Sequence, residues 1–196
     1  MAEAPNFDPT RTAVLAMDCQ TGIVTVYVKD QDAFLARAAN VLEHARRSGM
    51  CVIHVQVGFR PGLPEVSSRN SLFAAIKASP EHHKFFEGDS GRIHPRLGPQ
   101  PGDIVVTKHR VSAFHGTDLQ VVLRAQEIDT LVLLGIATSG VVLSTLLEAS
   151  DADYRAVVIR DCCADHDAEL HSCLLERFFP KRGTVISAAQ FLGTIA

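Results

Sequence analysis

The sequence predicts an α/β fold, a single-domain three-layer α/β/α sandwich built on a Rossmann-like parallel sheet of six strands. Two observations predict it. Short apolar runs alternate with stretches of helical periodicity along all 196 residues, which is the pattern of parallel strands joined by helices. The length also suits one domain with enough chain to bury a core. We therefore treat residues 1–196 as one domain, with residues 1–10 as a loose tail.

Six short apolar runs are expected to form the strands. Such runs are typical of strands that are buried on both faces of a parallel sheet. In chain order they cover residues 12–18, 51–57, 103–107, 131–134, 155–160 and 184–186. The fourth run, LVLL, ends at Gly135, and we expect it at the centre of the sheet.

Apolar residues at every third or fourth position predict the helices between the strands. The first helix spans residues 32–48, and Gly49 is well suited to end it. Thr138 and Ser139 can cap the helix that follows the fourth strand. The other helices are expected at residues 72–78, 117–126, 167–179 and 188–192. Residues 20–28 are expected to be a loop or a short turn.

Residues 58–102 are the longest stretch without a clear pattern. They are rich in glycine, proline and charge, and a structureless loop of this length is unusual in a compact domain. We interpret this segment as an active-site flap or a subunit contact rather than as a separate domain.

The composition excludes several classes of function. A net charge of −3 gives no reason to expect binding to nucleic acid or to an anionic membrane. No apolar run approaches the roughly 20 residues of a membrane span, and the N-terminus lacks the features of a signal peptide. The five cysteines show no zinc-ligand spacing. We therefore expect a cytoplasmic protein with reduced thiols, no metal and no cofactor.

Three predicted strands end at positions that can carry chemistry. Asp18 closes the first strand, Lys108 follows the third, and the turn after the fourth holds position 141. In an open parallel sheet these ends share one edge, where ligands bind. From its position alone, Asp18 is either a functional carboxylate or a capping or ion-paired residue. Lys108 is either its charge partner or a solvated surface residue.

Two motifs give the chain a family resemblance. The turn that begins at Gly135 reads GIATSGVVLST, and the stretch that begins at Lys108 reads KHRVSAFHGTDL. Both resemble motifs of the isochorismatase-like cysteine hydrolases, and the likeness covers nearly the whole chain. The resemblance implies the isochorismatase-like fold, a general acid or base at Asp18, and Lys108 as the residue that pairs with it.

The resemblance also describes the turn at the end of the fourth strand. It implies a cis peptide between Ile136 and Ala137, and an oxyanion hole formed by the N–H groups of Ala137 and Val141. The family's nucleophilic cysteine aligns with Val141, which cannot serve as a nucleophile. True isochorismatases also lack the cysteine, but they carry glycine at that position.

Three hypotheses about function follow. The first is a hydrolase that acts on a small molecule, either an isochorismate-like ether or an amide or carbamate, by water attack without a cysteine nucleophile. The second is a catalytically inactive family member that serves as a ligand-binding or scaffolding protein. The third is a cysteine hydrolase with a displaced thiol, for which Cys19, Cys162 and Cys163 are the candidates.

Further residues are expected around the substrate. The candidates are Gln20, Tyr27, Phe59, Arg60, Arg110, Phe114, His115 and Thr138. Arg60 or Arg110 can bind a substrate carboxylate, or can equally form a surface or inter-subunit ion pair. The resemblance also implies a homodimer or homotetramer, and a small-molecule substrate is the only other partner that we expect.

Overall fold

In the computed structural model, which describes residues 5–194, six strands form one parallel sheet. The strands are β1 (Thr12–Met17), β2 (Cys51–Val57), β3 (Ile104–Lys108), β4 (Thr130–Ile136), β5 (Arg155–Ala164) and β6 (Thr184–Ile186). The helices are α1 (Thr21–Tyr27), α2 (Gln31–Arg47), α3 (Ser71–Ala78), α4 (Pro80–His83), α5 (Leu119–Ala125), α6 (Leu143–Asp151), α7 (Ala168–Cys173) and α8 (Ala188–Leu192). The predicted α/β sandwich on a parallel six-stranded sheet is confirmed.

The strands direct their side chains alternately into two hydrophobic cores, one on each face of the sheet. In β1, Val14 and Ala16 lie in one core, whereas Ala13, Leu15 and Met17 lie in the other, as the two-residue period of a strand requires. Helices α2 and α8 complete the first core, and α5 and α6 complete the second. Burial on both faces is the reason why the strands appear in the sequence as continuous apolar runs.

The strand order is β3-β2-β1-β4-β5-β6, which places β1 beside β4 at the centre of the sheet. From β1 the chain builds one half of the sheet outward to β3, and then returns to β4 and builds the other half. In such sheets ligands bind in the crevice outside the carboxyl ends of the strands, where the order reverses. The residues that follow Met17 and Ile136 are therefore placed at this crevice.

The segment of residues 58–102 is structured and contains α3 and α4. The Asn70 side chain caps α3 by accepting a hydrogen bond from the N–H of Phe73 at 3.2 Å. Leu63, Val66 and Phe73 form a small hydrophobic cluster that is separate from the two cores. This cluster gives the segment a packed interior of its own, so it forms a cover over the sheet edge rather than an open loop. We call residues 58–102 the covering segment.

Helix α1 differs from the sequence-based expectation. Residues 20–28 are predicted to be a loop or a short turn, but α1 occupies most of this stretch. It is rich in β-branched residues, which lower helix propensity. The helix nevertheless buries Val24 completely, and Ile23 and Tyr27 pack partly against the core. Tertiary packing therefore overrides the local preference.

The loose tail predicted over residues 1–10 includes residues 1–4, which lie outside the described residues. Beyond them, Phe7 is buried, and its ring meets that of Phe191 edge to face with centroids 5.4 Å apart. The tail is thus anchored at Phe7.

The helix predicted over residues 167–179 is α7 followed by a wider helical turn at Leu174–Phe178.

Gly135 occupies a position in β4 that no other residue fits. Its φ angle is 144°, and an added Cβ would lie 2.1 Å from the carbonyl oxygen of Met17 in neighbouring β1. We expect Gly135→Ala to lower the free energy of unfolding by about 3 kcal/mol or more, because overpacking and backbone strain each cost about 1–3 kcal/mol. Urea denaturation measures this loss.

The matched control for that substitution is Gly193→Ala. There an added Cβ would meet nothing closer than 3.6 Å, so we expect a change below about 1 kcal/mol. Equal stabilities for the two variants would contradict the close approach of β4 to β1 at Gly135.

Candidate active site

The carboxyl end of β1 and the end of β3 bring two opposite charges together. Lys108 is the last residue of β3, and its Nζ lies 2.8 Å from Oδ2 of Asp18 across the end of β2. Asp18 follows β1 with a φ angle of 54°, and its N–H donates to the carbonyl oxygen of Val55. Nζ of Lys108 also donates to the carbonyl oxygen of Arg110 at 3.0 Å. Both side chains are almost completely buried: that of Asp18 is 9% exposed and that of Lys108 is 3% exposed.

The burial of this pair determines its proton chemistry. Burial raises the pKa of the Asp18 carboxyl above its ordinary value, and the nearby ammonium of Lys108 opposes that rise only in part. Oδ1 of Asp18 is also buried and has no hydrogen-bond partner among residues 5–194. A carboxyl group with a raised pKa and a free oxygen is suited to take up and release a proton in catalysis.

The turn after β4 forms the second part of the site. The peptide bond between Ile136 and Ala137 is cis, and a wide helical turn at Thr138–Val142 leads into α6. The N–H of Ser139 donates to Oδ2 of Asp165 at 2.7 Å, and the Thr138 hydroxyl donates to the carbonyl oxygen of Ala164 at 3.2 Å. The residues at and after the end of β5 therefore hold this turn in place beside Asp18.

A cavity of about 400 Å³ joins the two parts. Its polar lining consists of Asp18, Lys108, Tyr27, His82 and His166. The rings of Tyr27 and His166 lie with their centroids 4.0 Å apart. A cavity of this size, with few polar groups in a mainly apolar wall, has the character of a small-molecule site.

Six residues singled out in the sequence meet in this cavity. They are Asp18, Tyr27, Lys108, Ile136, Ala137 and Val141. Val141 is 2% exposed and presents an apolar surface to the site. Tyr27 belongs to α1, whereas the carboxyl ends of β1, β3 and β4 supply the other five, as the geometry of a parallel sheet requires.

Other candidates for substrate binding do not line this cavity. The Gln20 side chain is buried. Its amide donates to the carbonyl oxygens of Val57 and Gly91 and accepts from the N–H of Val57. It thus joins Gly91 of the covering segment to the end of β2. The Thr138 hydroxyl donates to the carbonyl oxygen of Ala164 and lies 2.8 Å from Nδ1 of His171.

The aromatic and charged candidates are placed elsewhere as well. Phe59 and Arg60 line a neighbouring cavity of about 320 Å³, whose lining residues all belong to the covering segment. Phe114 packs into the core with its ring 5.9 Å from that of Tyr154. His115 is exposed and does not line the cavity. None of these four side chains lines the cavity of Asp18.

The residues that the sequence analysis missed come from two places. His82, Phe85 and Phe86 reach the cavity from the covering segment, and nothing in their local sequence distinguishes them from surface residues. His166 lies just beyond Ala164, the last residue of β5. The rule that points to Asp18, namely that site residues follow strand ends, also points to His166 once the true end of β5 is known.

The buried thiols are poorly placed for nucleophilic attack. Burial raises the pKa values of Cys19 and Cys162, and it raises that of Cys163 to about 12. A thiol in such an environment is protonated and inert. None of the three lines the cavity of Asp18.

Within residues 5–194, no group of three or more histidine, cysteine, aspartate or glutamate side chains is arranged to hold a metal ion. No helix in the same part of the chain has the length and apolar character needed to cross a membrane.

The sequence is similar to that of known proteins over most of its length. The family model described as the isochorismatase domain matches residues 12–190. The chain is 32% identical to the isochorismatase family protein YwoC of Bacillus subtilis (strain 168), over 98% of both chains. It is 29% identical to the maleamate amidohydrolase of Pseudomonas putida, over 90% of this chain and 83% of that protein.

A solved structure shows the same architecture. The isochorismatase family protein from Burkholderia thailandensis has a TM-score of 0.83 and 33% sequence identity, and the likeness covers 97% of both chains. The likeness in sequence and in fold thus extends over nearly the full length. The chain belongs to the isochorismatase family of hydrolases.

Proposed function

We propose that the protein hydrolyses a small molecule by direct attack of water, with Asp18 as general acid or base and without a cysteine nucleophile. The observation that carries this proposal is the buried pair of Asp18 and Lys108 at the cavity. A desolvated pair is costly to keep, and Oδ1 of Asp18 has no partner among the described residues. A proton-transfer role accounts for both features.

For an amide or a carbamate, the ionised Asp18 takes a proton from a water molecule whose oxygen attacks the carbonyl carbon. The carbonyl oxygen becomes an oxyanion, for which we propose the N–H groups of Ala137 and Val141 as donors. Asp18 then gives the proton to the departing nitrogen, and the C–N bond breaks. The ammonium of Lys108 stabilises the ionised form of Asp18 at the beginning and the end of the cycle.

For an isochorismate-like vinyl ether, the order of the proton transfers is reversed. The protonated Asp18 gives its proton to the alkene carbon, and water adds to the resulting oxocarbenium carbon. The added water loses one proton to Asp18, which leaves a hemiketal. The remaining hydroxyl proton then passes to the leaving oxygen as the C–O bond breaks. The raised pKa of Asp18 is compatible with either protonation state at the start.

We infer that Val141 stands at the position where the cysteine hydrolases carry their nucleophile. A thiolate route requires a sulfur with a lowered pKa or an adjacent base. Valine has neither, but it is close to cysteine in size, so the shape of the cavity is retained. The relative named as a maleamate amidohydrolase supports an amide as the reacting group, although maleamate also carries a carboxylate.

Turnover of isochorismate, small amides and carbamates tests the proposal. We expect one of these compounds to be hydrolysed, and we expect pretreatment with iodoacetamide to leave the rate unchanged. Of the five cysteines, Cys173 is exposed and Cys51 half-buried, whereas the other three are buried. Mass spectrometry of the treated protein identifies the alkylated thiols. Loss of turnover on alkylation would support the displaced-thiol mechanism instead.

The apolar Val141 also favours a second candidate, a family member that binds a ligand without turning it over. In that case the wild type hydrolyses nothing in the panel, although a ligand raises its melting temperature. Amide hydrolysis that is gained only by Val141→Cys would show an intact cavity that has lost its nucleophile. Hydrolysis by the wild type would exclude this candidate.

A further inference from the structure

We propose that this cavity takes an uncharged carboxamide whose non-reacting part is apolar, and that it rejects substrates that carry a carboxylate. The inference rests on the proposed function for the place of the reacting group, next to Asp18. It goes beyond that function because it chooses between the two substrate types, since isochorismate is a carboxylate-bearing molecule.

The charges of the cavity are already balanced. Asp18 and Lys108 pair at 2.8 Å, so with Asp18 ionised, as water attack on an amide requires, together they offer no net charge to a ligand. Among residues 5–194, no arginine side chain lines the cavity. A ligand carboxylate would enter a largely apolar space without a partner and near another carboxylate, and both effects are unfavourable.

The two arginines that the sequence offers for a carboxylate are engaged elsewhere. Arg60 pairs with Glu65 at 2.5 Å and lines the neighbouring cavity. Arg110 donates to the carbonyl oxygens of His109 at 2.6 Å and Glu65 at 3.0 Å. Its guanidinium lies 5.8 Å from the ring centroid of Phe73, a residue that lines the main cavity. Phe73 lines the cavity and Arg110 does not, and the guanidinium of Arg110 is hydrogen-bonded to backbone carbonyl groups.

Apart from Tyr27, His82 and His166, the remaining wall is apolar. Phe73, Ile76 and Phe85 line it from the covering segment, whereas Val26 of α1 and Leu72 of α3 lie at the exposed end. Val26 is 41% exposed and Leu72 is 54% exposed, in contrast to the buried pair. An apolar substituent can therefore extend from the reacting group toward the mouth and cover these two side chains.

Matched pairs of ligands test the preference directly. Hexanamide and adipamate share the amide and the chain length, but adipamate carries a carboxylate in place of the terminal methyl group. Benzamide and 4-carbamoylbenzoate form a second, aromatic pair. Dissociation constants are measured by NMR titration of the wild-type protein at about pH 8, above the range in which histidine ordinarily takes up a proton.

We expect each uncharged amide to bind at least about tenfold more tightly than its anionic counterpart. We also expect affinity to rise about fourfold per methylene from butyramide to hexanamide, which corresponds to about 0.8 kcal/mol per buried CH₂. Equal or tighter binding of the anions, or no binding of either type, would overturn the inference.

The same spectra report any hydrolysis of the ligands. Preferential binding of the uncharged amides without product would support the inference on specificity and contradict the proposed hydrolysis. Hydrolysis of an anionic substrate in preference to the uncharged amides would support the proposed hydrolysis and contradict the inference on specificity. The two proposals can therefore fail separately.

A substitution in the wall provides a second test. Ile76→Arg places a cation on α3 where it lines the cavity, and we expect it to shift the preference toward adipamate by about tenfold. The matched control is Ala75→Arg, because Ala75 is exposed on the same helix and does not line the cavity. An equal shift in both variants would overturn the assignment of the wall.

Circular dichroism shows whether the Ile76→Arg protein folds. If it does not, Val26→Arg takes its place, since Val26 lines the cavity and is already partly exposed. An unchanged preference in a folded variant of either kind would also overturn the inference.

Discussion

Replacing Asp18 by asparagine is expected to lower kcat by a factor of about 10²–10⁴, the usual contribution of a general acid or base. Asparagine keeps the shape of the side chain but cannot carry the proton. The measurement is turnover of a compound that the wild type hydrolyses, at saturating substrate. Because Lys108 loses its buried partner, the melting curve of the variant has to be recorded as well.

The control for this variant is Asp89→Asn. Asp89 forms a surface pair with Arg92, and its side chain is 92% exposed, so its replacement removes a carboxylate without touching the cavity. We expect wild-type turnover in the control. A folded Asp18→Asn protein with wild-type kcat would contradict a proton-transfer role for Asp18.

The pH profile of the wild type distinguishes the two chemical routes. Amide hydrolysis by water attack needs the ionised Asp18, so kcat/KM rises with pH through the pKa of this group. Vinyl ether hydrolysis needs the protonated form, so kcat/KM falls over the same range. Because burial raises the pKa of Asp18, the inflection lies above the ordinary carboxyl range in both cases.

Replacing Lys108 by methionine is expected to lower the free energy of unfolding by about 3–5 kcal/mol near neutral pH, the cost of leaving one partner of a buried ion pair alone. Methionine fills the space of the lysine stem, so the loss comes mainly from the unpaired Asp18 carboxylate. Urea denaturation measures it. The surface control Lys84→Met, which breaks an exposed pair with Glu81, should change stability by less than about 1 kcal/mol.

The sign of the pH dependence follows from the raised pKa of Asp18. Between the unfolded and the folded pKa values, the folded state binds more protons, so stability falls as pH rises through this window. Without Lys108 the folded pKa rises further, and the window widens upward. The deficit of Lys108→Met relative to the wild type is therefore expected to shrink in acid, where Asp18 is neutral.

A double variant separates the charge from the packing. Asp18→Asn combined with Lys108→Met leaves no buried charge, so we expect it to be more stable than Lys108→Met alone near neutral pH. If the double variant is the less stable of the two, the cost in Lys108→Met arises from packing and not from the unpaired carboxylate.

The sequence by itself determined the fold and the positions along it where chemistry can occur. Strands that are buried on both faces must be continuous apolar runs, and amphipathic helices must repeat at helical spacing, so both leave a local signal. A parallel sheet gathers the carboxyl ends of its strands at one edge. That rule was enough to place Asp18, Lys108 and Val141 at the same crevice.

Only the tertiary structure decided what surrounds that crevice. Gln20 lies two residues after Asp18 in the sequence, yet its side chain is hydrogen-bonded to Val57 and Gly91 and does not line the cavity. Helix α1 forms against its local propensity because the core buries Val24. In each case the deciding contact joins residues that are distant along the chain, and no local pattern encodes such a contact.

The charge of the substrate depends on the same kind of information. From the sequence, Arg60 and Arg110 were equally suited to bind a carboxylate or to form ion pairs. The fold brings Glu65 within 2.5 Å of Arg60 and places its carbonyl oxygen 3.0 Å from Arg110, and neither arginine lines the cavity. An arginine's partner is set by which groups the folded loop brings within hydrogen-bond distance, and that distance exists only in three dimensions.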